Sequence, residues 1–198
     1  NACLNIGGFA NISMKVDGKR IAFDICPANI ILNKLAGQIG LPYDENGALA
    51  RSGNSDPELL SQLNNLEYYS LPYPKSLGRE WLEEEFLPML TAYHGPVSDL
   101  LSTISDHIAF QIRDSMKSSP RGKILVTGGG AHNKYLVERI RYRSAHEWIL
   151  PSIDLIDFKE AVVFAFLGVL RLIEEKNVLK SVTGRSMDHC GGILVRIK

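Results

Sequence analysis

The segment 1–29 constrains the fold of this chain more than any other stretch. It contains three short apolar, β-favouring runs that are separated by Gly7-Gly8 and Asp17-Gly18, and the third run ends in Asp24. An Asp-Gly pair between two alternating runs predicts a β-hairpin, because a type I′ turn requires positive φ at both central residues. The sequence therefore predicts three antiparallel strands, the last of which ends at Asp24.

The Gly7-Gly8 pair also suggests a binding function. Glycine has no Cβ, so backbone N–H groups can approach an anion closely, and Asn11 adds a polar amide just after the turn. A phosphate-binding loop would then lie on a strand next to the carboxylate of Asp24. The alternative is an ordinary hairpin meander with a glycine turn and a surface acid.

A second glycine-rich loop lies between a predicted buried strand, 123–127, and a predicted helix, 134–143. The loop consists of Gly128, Gly129, Gly130, Ala131, His132 and Asn133. Strand, glycine loop and helix in this order are typical of an anion or nucleotide site, because the start of a helix presents unpaired N–H groups. The loop differs from the dinucleotide fingerprint, whose third glycine is replaced by Asn133, and it lacks the lysine and hydroxyl residue of a P-loop.

The remaining periodicity predicts helices and one edge strand. Pro27 is expected to open a helix just after Asp24, and the final helix is expected to start at Asp157, with Glu160 at the spacing of a capping box. A ligand contact is the alternative role for Glu160. The apolar segment 193–195 is interpreted as a last edge strand.

Between about 40 and 118 the sequence predicts helices inserted on the sheet. Asp56 and Pro57 have the pattern of a helix N-cap and first helical residue, and apolar spacing predicts a long core helix over 97–116. His107 lies next to the apolar stripe of that helix. We interpret it as a hydrogen-bonded structural histidine rather than a catalytic one.

Composition narrows the class of partner. Lysine plus arginine and aspartate plus glutamate number 22 each, so the net charge of zero provides no field that would attract nucleic acid or an anionic membrane. Three cysteines without paired spacing argue against a disulfide framework and against zinc, which favours a reducing compartment. We expect a cytoplasmic protein with a small-molecule ligand and no membrane or nucleic-acid partner.

The order of the predicted elements defines a fold class. Three antiparallel strands followed by helix, strand, helix, strand and helix match the ribonuclease-H-like domain of the actin, Hsp70 and sugar-kinase superfamily. We therefore predict an α/β, actin-like ATPase domain with a mixed sheet, the order βββαβαβα and helices on both faces.

Six motifs in order resemble those of the anhydro-N-acetylmuramic acid kinases. They are Leu-Asn-Ile-Gly-Gly-Phe-Ala-Asn-Ile at 4–12, Phe23-Asp24 with Pro27 and Asn29, Pro-Lys-Ser-Leu-Gly-Arg-Glu at 74–80, Gly-Gly-Gly-Ala-His-Asn at 128–133, Glu160-Ala161 with Phe-Ala-Phe at 164–166, and Val-Thr-Gly at 182–184. The resemblance spans essentially the whole chain. It implies that residues 1–198 form the C-terminal lobe of a two-lobe sugar kinase.

The resemblance also implies a reaction and a set of site residues. Members of this family use ATP and Mg²⁺ to cleave the 1,6-anhydro bridge of the amino sugar with water while phosphorylating O6, a step of peptidoglycan recycling. Asp24 corresponds to the general base that activates water. The implied nucleotide contacts are Gly7, Gly8 and Asn11 for the phosphates and Gly128, Gly129, Gly130 and Asn133 for the adenosine. The implied sugar contacts are Asn29, Lys75, Ser76, Arg79 and Glu160; the resemblance leaves the metal ligands unknown.

The chain also departs from the family pattern. The stretch 25–29 reads Ile-Cys-Pro-Ala-Asn where the family has Thr-Gly-Pro-Gly-Asn, and Asn33 stands where an acid is expected. An N-terminal lobe is expected to complete the active site, so the isolated chain should be inactive and should expose an apolar face that favours a homodimer. Two alternatives stay open: a kinase of another sugar in the same superfamily, and a non-catalytic nucleotide- or protein-binding module.

Overall fold

A computed structural model describes residues 1–117, 119–142 and 144–195. Within them, one mixed sheet organises the chain. Its strands are β1 (Ala2–Ile6), β2 (Phe9–Val16), β3 (Lys19–Pro27), β4 (Lys123–Thr127) and β5 (Glu147–Ile149). The spatial order is β3-β2-β1-β4-β5, with antiparallel pairing among the first three strands and parallel pairing of β1 with β4 and of β4 with β5. This is the predicted mixed α/β architecture.

The helices connect and cover these strands. They are α1 (Asn29–Gly37), α2 (Ala48–Ser52), α3 (Pro57–Asn64), α4 (Arg79–Trp81), α5 (Leu87–Thr91), α6 (Val97–Ser115), α7 (Lys134–Tyr142), α8 (Ile153–Leu172) and α9 (Lys180–Thr183). A π-helical turn, Leu82–Phe86, joins α4 to α5. The predicted cap of α3 is confirmed, since Asp56 Oδ1 accepts a hydrogen bond from the Leu59 N–H at 2.9 Å.

The predicted β2–β3 hairpin is confirmed, but the end of β3 was predicted wrongly. Asp17 has φ 50° and Gly18 has φ 77°, the positive values of a type I′ turn. β3 continues past Asp24 to Pro27, because Cys26 pairs with Ala10 and Pro27 pairs with Phe9. Pro27 therefore ends a strand instead of opening a helix, and α1 begins at Asn29.

The main core lies on one face of the sheet. Alternate strand residues are buried there, among them Leu4, Ile6, Ile12, Ile21, Phe23, Ile124 and Val126. The predicted long helix, α6, supplies the facing layer, with Leu101, Ile104 and Ile108 fully buried, and it also packs against α1, α2, α3 and α7. This packing leaves the other face of the sheet for polar side chains and for α8.

The start of α8 and the fate of the tail differ from the predictions. α8 begins at Ile153, one turn before Asp157, because Ser152 caps it by accepting a hydrogen bond from the Leu155 N–H. No strand forms over 193–195. The outer edge of β3 is already occupied at Asp24, whose N–H donates to the Lys75 carbonyl at 3.2 Å, and α9 also contacts β3.

Among the described residues, no helix is both long enough and apolar enough to span a membrane.

Candidate functional site

A row of polar side chains crosses four strands at one level of the sheet. Thr127 on β4 pairs with Asn5 on β1, Asn5 pairs with Asn11 on β2, and Asn11 pairs with Asp24 on β3. Directly opposite residues point to the same face of a sheet. These four residues, which we call the polar row, therefore lie side by side on the face away from the main core.

Asp24 at the end of the polar row is held in a defined position. Its Oδ2 accepts a hydrogen bond from the Leu77 N–H at 2.9 Å, and its backbone carbonyl accepts one from the Tyr68 hydroxyl at 2.6 Å. Among the described residues, Oδ1 has no hydrogen-bond partner. One carboxylate oxygen is thus fixed, while the other is available to a ligand or a water molecule.

The loop 74–80 reaches Asp24 through its backbone and not through Lys75. The Lys75 ammonium donates to the carbonyls of Tyr68 and Tyr69 at 3.0 and 3.3 Å and lies 4.6 Å from the centre of the Tyr68 ring. Burial lowers the pKa of Lys75, and burial together with the charge of Asp24 raises the pKa of Tyr68. Lys75 therefore anchors the loop.

Three of the remaining sugar-contact candidates lie on the surface. Ser76 and Arg79 are exposed on either side of Leu77, and Glu160 is exposed on α8. The structure brings none of them into hydrogen-bond contact with Asp24.

The Gly7-Gly8 turn is docked on the start of α1. The carbonyl of Gly7 accepts from the Asn29 N–H at 3.1 Å, and the carbonyl of Gly8 accepts from Ala28 and Ile30 at 2.8 and 3.2 Å. The Asn29 side chain donates to the Ile6 carbonyl at 3.2 Å. Asn29 is therefore at the end of β1, beside the glycine loops.

The second glycine loop meets the first at the end of β1. Gly128 has φ 84°, and a Cβ there would lie 2.6 Å from the Ile6 carbonyl oxygen and 2.7 Å from Asn5 Oδ1, so only glycine fits. A Cβ on Gly130 would overlap the Ile6 side chain. Asn133 caps α7, since its Oδ1 accepts from the Leu136 N–H at 3.0 Å.

An open cavity of about 670 Å³ lies beside this second loop, within the usual range for small-molecule sites. Its lining includes Asn29, Gly129 and Asn133 from the predicted set. Ala131 and His132 of the same loop and Asn33 line it as well, together with residues that the sequence reasoning missed: Leu32, Tyr43, Asp44, Glu45, Asn46, Lys134, Leu150, Pro151, Ile153 and Ile156. Few of these carry a sequence signal, because they come from separate loops that only folding brings together.

The missed residue Lys159 contacts the polar row from α8. Its ammonium group donates a hydrogen bond to Asn5 Oδ1, and burial lowers its pKa. Near the start of the same helix, Asp157 lies 3.0 Å from His132 Nε2 and ties α8 to the second glycine loop. The first half of α8 therefore lies against β4 and the second glycine loop, at the level where both glycine loops end.

The described residues were also considered as ligands for Mg²⁺. They contain no group of three or more His, Cys, Asp or Glu side chains that could hold a metal ion. Mg²⁺ in kinases is commonly bound by one or two carboxylates together with substrate phosphates. Asp24 is the one carboxylate of the polar row, so the described residues do not complete such a site by themselves.

Comparison with known proteins decides the family. The sequence profile described as anhydro-N-acetylmuramic acid kinase matches residues 1–196. The chain belongs to the anhydro-N-acetylmuramic acid kinase family. This confirms the resemblance seen in the six motifs.

Curated members of the anhydro-N-acetylmuramic acid kinase family are similar to almost the whole chain. The proteins of that name from Shewanella sp. (strain MR-7) and Shewanella frigidimarina (strain NCIMB 400) are 35% and 42% identical over 200 and 196 residues. The one from Aliivibrio fischeri is 35% identical over 203 residues, which cover 98% of this chain and 55% of that protein. The chain thus spans about half the length of the curated relatives it matches.

Solved structures confirm the actin-like ATPase fold of this family member. The activator of 2-hydroxyisocaproyl-CoA dehydratase from Clostridium difficile, solved with bound ADPNP, matches with a TM-score of 0.54 at 21% identity, covering 89% of this chain and 64% of that one. Component A of the Acidaminococcus fermentans (R)-2-hydroxyglutaryl-CoA dehydratase matches with a TM-score of 0.52 at 15% identity, covering 81% and 58%. At these identities the similarity concerns the fold alone.

Proposed function

We propose that this chain is the C-terminal lobe of an ATP-dependent kinase that opens the 1,6-anhydro bond of anhydro-N-acetylmuramic acid and phosphorylates its O6. The lobe would comprise residues 1–198 with a helical insertion at about 40–118, and an N-terminal lobe would close over it. The observation that carries the proposal is the polar row. It links the fixed carboxylate of Asp24, in strand register, to the point where the two glycine loops meet.

The nucleotide would occupy the cavity and the adjoining loops. The adenosine fits beside Gly128, Gly129, Gly130 and Asn133, and the phosphates extend past Gly7 and Gly8 toward Asn11. Backbone N–H groups at glycine turns favour anions because no side chain keeps the phosphate away. Mg²⁺ would neutralise charge on the phosphates when bound, held by phosphate oxygens and by groups of the second lobe, so that the free oxygen of Asp24 stays available to water.

Asp24 would act as the general base of the reaction. Water attacks the anomeric carbon, Asp24 accepts the proton of that water, the bond between C1 and O6 breaks, and O6 takes the γ-phosphoryl group to leave ADP. The Leu77 N–H holds one oxygen of the carboxylate, so the other can be aimed at the water. Because ATP is the proposed donor, we assign the reaction to the cytoplasm.

The sugar would lie beside the free Oδ1 of Asp24, with Ser76, Arg79 and Glu160 within the region that the second lobe closes. Lys75 would contribute through the loop it anchors, and Asn29 through the glycine loops. The departures at 25–28 bear on the choice of sugar. The three residues that differ, Ile25, Cys26 and Ala28, are all buried in the core, so these differences do not place a new side chain where it could touch the sugar.

The test is a reaction in ¹⁸O-labelled water with this chain joined to the N-terminal half of a family member. The expected product from ATP and the anhydro sugar is a 6-phosphate that carries ¹⁸O on C1, since the attacking oxygen comes from water. Phosphorylation of an ordinary hexose with no turnover of the anhydro sugar would favour the second candidate, a kinase of another sugar. No phosphoryl transfer to any sugar would contradict the proposal.

A further inference from the structure

Lys159 lies where the two glycine loops meet, although it belongs to none of the family motifs. The Asn5 side chain stands between the loops: a Cβ on Gly7 would lie 3.3 Å from Asn5 Nδ2, and one on Gly128 would lie 2.7 Å from Asn5 Oδ1. Lys159 Nζ donates to that same Oδ1. The ammonium group is therefore held at the junction of the proposed phosphate loop and the proposed nucleoside loop.

The hydrogen bonding of this ammonium group is incomplete. A lysine ammonium has three N–H donors, and among the described residues Asn5 is its one hydrogen-bond acceptor. The group is also partly removed from water, and this burial lowers its pKa. A partly buried cation with donors that the protein does not take up is stabilised by an anion that supplies oxygen acceptors at the same place.

We propose that Lys159 is a phosphate-binding residue, whose ammonium group bridges the polar row at Asn5 to the phosphate oxygens of a bound nucleoside di- or triphosphate. This inference rests on the proposed function, because it takes the cavity beside Gly129 as the nucleoside site. It also gives α8 a role in binding. A nucleotide that engages Lys159 fastens this helix across the open face of the sheet.

A purely structural role for Lys159 would give a different result. If the side chain only tethers α8 to Asn5, its replacement lowers the stability of the chain and affects all ligands of the cavity alike. If it binds phosphate, its replacement weakens binding in proportion to the phosphate content of the ligand. Adenosine, ADP and ATP therefore form the discriminating series.

The experiment is a titration of the ¹⁵N-labelled chain with each of these ligands, followed by the amide signals of Gly128, Gly129 and Gly130. For Lys159→Met, which removes the charge from a side chain of similar length, we expect affinity for ATP to fall about tenfold and affinity for adenosine to change less than about twofold. Lys159→Arg retains the charge and should stay within about threefold of the wild type for ATP. Lys176→Met, which removes an exposed charge beyond α8, is the matched control and should leave all three affinities unchanged.

A second measurement on the wild type covers the case in which Lys159→Met fails to fold. ATP, but not adenosine, should slow reductive methylation of Lys159; equal modification rates with both ligands would overturn the proposal. Two results with Lys159→Met would also overturn the proposal while leaving the proposed function standing. One is an unchanged affinity for ATP with the glycine shifts still present. The other is an equal loss of affinity for adenosine and for ATP. Absence of glycine shifts with every nucleotide, in the chain joined to the N-terminal half of a family member, would overturn both.

Discussion

Asn11 and Asp24 are direct cross-strand neighbours at a β-bulge in the β2–β3 pair. Ala10, the residue before Asn11, pairs with Cys26, so Ile25 is an extra residue on β3. Bulges bend a strand and change the direction of its side chains. After the bulge, Ile25, Cys26 and Pro27 are all buried. Asp24 is therefore the last residue of β3 before the bulge, and its side chain lies on the open face.

The first prediction concerns Asp24 in a protein that carries both lobes. Asp24→Asn keeps the size and polarity of the side chain but removes its basic oxygen, so turnover should fall by about 10²-fold or more while substrate binding changes little. The control is Asp17→Asn on the same hairpin, where asparagine also suits the positive φ of 50°. Phosphate transfer to the anhydro sugar and the melting temperature should be measured for all three proteins.

Equal turnover in Asp24→Asn and the wild type would contradict the catalytic assignment. A purely structural Asp24 would instead lose stability through its hydrogen bond to Leu77, by about 1 kcal/mol, and would leave turnover intact.

The second prediction concerns the conformation of Gly128. Gly128→Ala should lower the free energy of unfolding by about 2 kcal/mol or more, because alanine is strained at φ 84° and its Cβ would collide with Ile6 and Asn5. Gly168→Ala is the matched control, since Gly168 lies within α8 with open space around it and should gain about 0.5–1 kcal/mol from helix propensity. Denaturant unfolding of both variants measures the difference. If Gly128→Ala and Gly168→Ala changed the free energy of unfolding by similar amounts and with the same sign, the loop would tolerate a Cβ at Gly128, contrary to this prediction.

The third prediction concerns the pH dependence of stability. His107 is fully buried between the Tyr69 hydroxyl at 2.9 Å and Asn64 Oδ1 at 2.8 Å, and this burial lowers its pKa from 6.5 to about 3. Between these two values the unfolded chain binds a proton that the folded chain does not. The free energy of unfolding should therefore decrease as the pH falls through this interval, by up to about 1.4 kcal/mol per pH unit from this residue.

Two histidine variants isolate that contribution. His107→Gln should be less stable near neutral pH but should lose this part of the slope between about pH 4.5 and pH 7. His94→Gln, at an exposed histidine, should keep the wild-type slope. Denaturant unfolding across the pH range gives the stability curves of the wild type and both variants. If the curve of His107→Gln ran parallel to that of the wild type, His107 would be excluded as the source of the slope.

The fourth prediction concerns the outer face of α8. Phe158, Val162 and Phe166 follow one another at helical spacing and are 64%, 56% and 61% exposed. An uncovered apolar stripe of this size favours association, so the chain should form dimers or larger species as its concentration rises. Phe158→Ser combined with Phe166→Ser should weaken this association, whereas Leu41→Ser, at an exposed leucine elsewhere, should not. Sedimentation of a strict monomer at high concentration would refute this prediction.

Local sequence signals were sufficient for the elements that depend on a few neighbouring residues. The Asp17-Gly18 turn, the cap at Asp56 and the apolar spacing of α6 were all read correctly, because turn φ values, capping hydrogen bonds and helical periodicity are short-range properties. Together with six ordered motifs they also identified the family.

Other local signals were misleading because a tertiary neighbour decided between two possible structures. Pro27 has the preferences of a first helical residue, yet pairing with Phe9 keeps it in β3. Asp157 and Glu160 have capping-box spacing, yet Ser152 starts α8 a turn earlier and Asp157 faces His132. The sequence alone could not weigh such alternatives, because the competing partners are distant in the chain.

The amino-acid sequence by itself thus determined the β2–β3 turn, the cap of α3, the long helix α6 and the family to which the chain belongs. Only the tertiary structure decided which side chains share a site. Strand register placed Thr127, Asn5, Asn11 and Asp24 in one row, and the path of α8 brought Lys159 to Asn5 across 154 positions of sequence. Register and helix crossing follow from packing summed over the whole core, so no local pattern around any one of these residues could specify them.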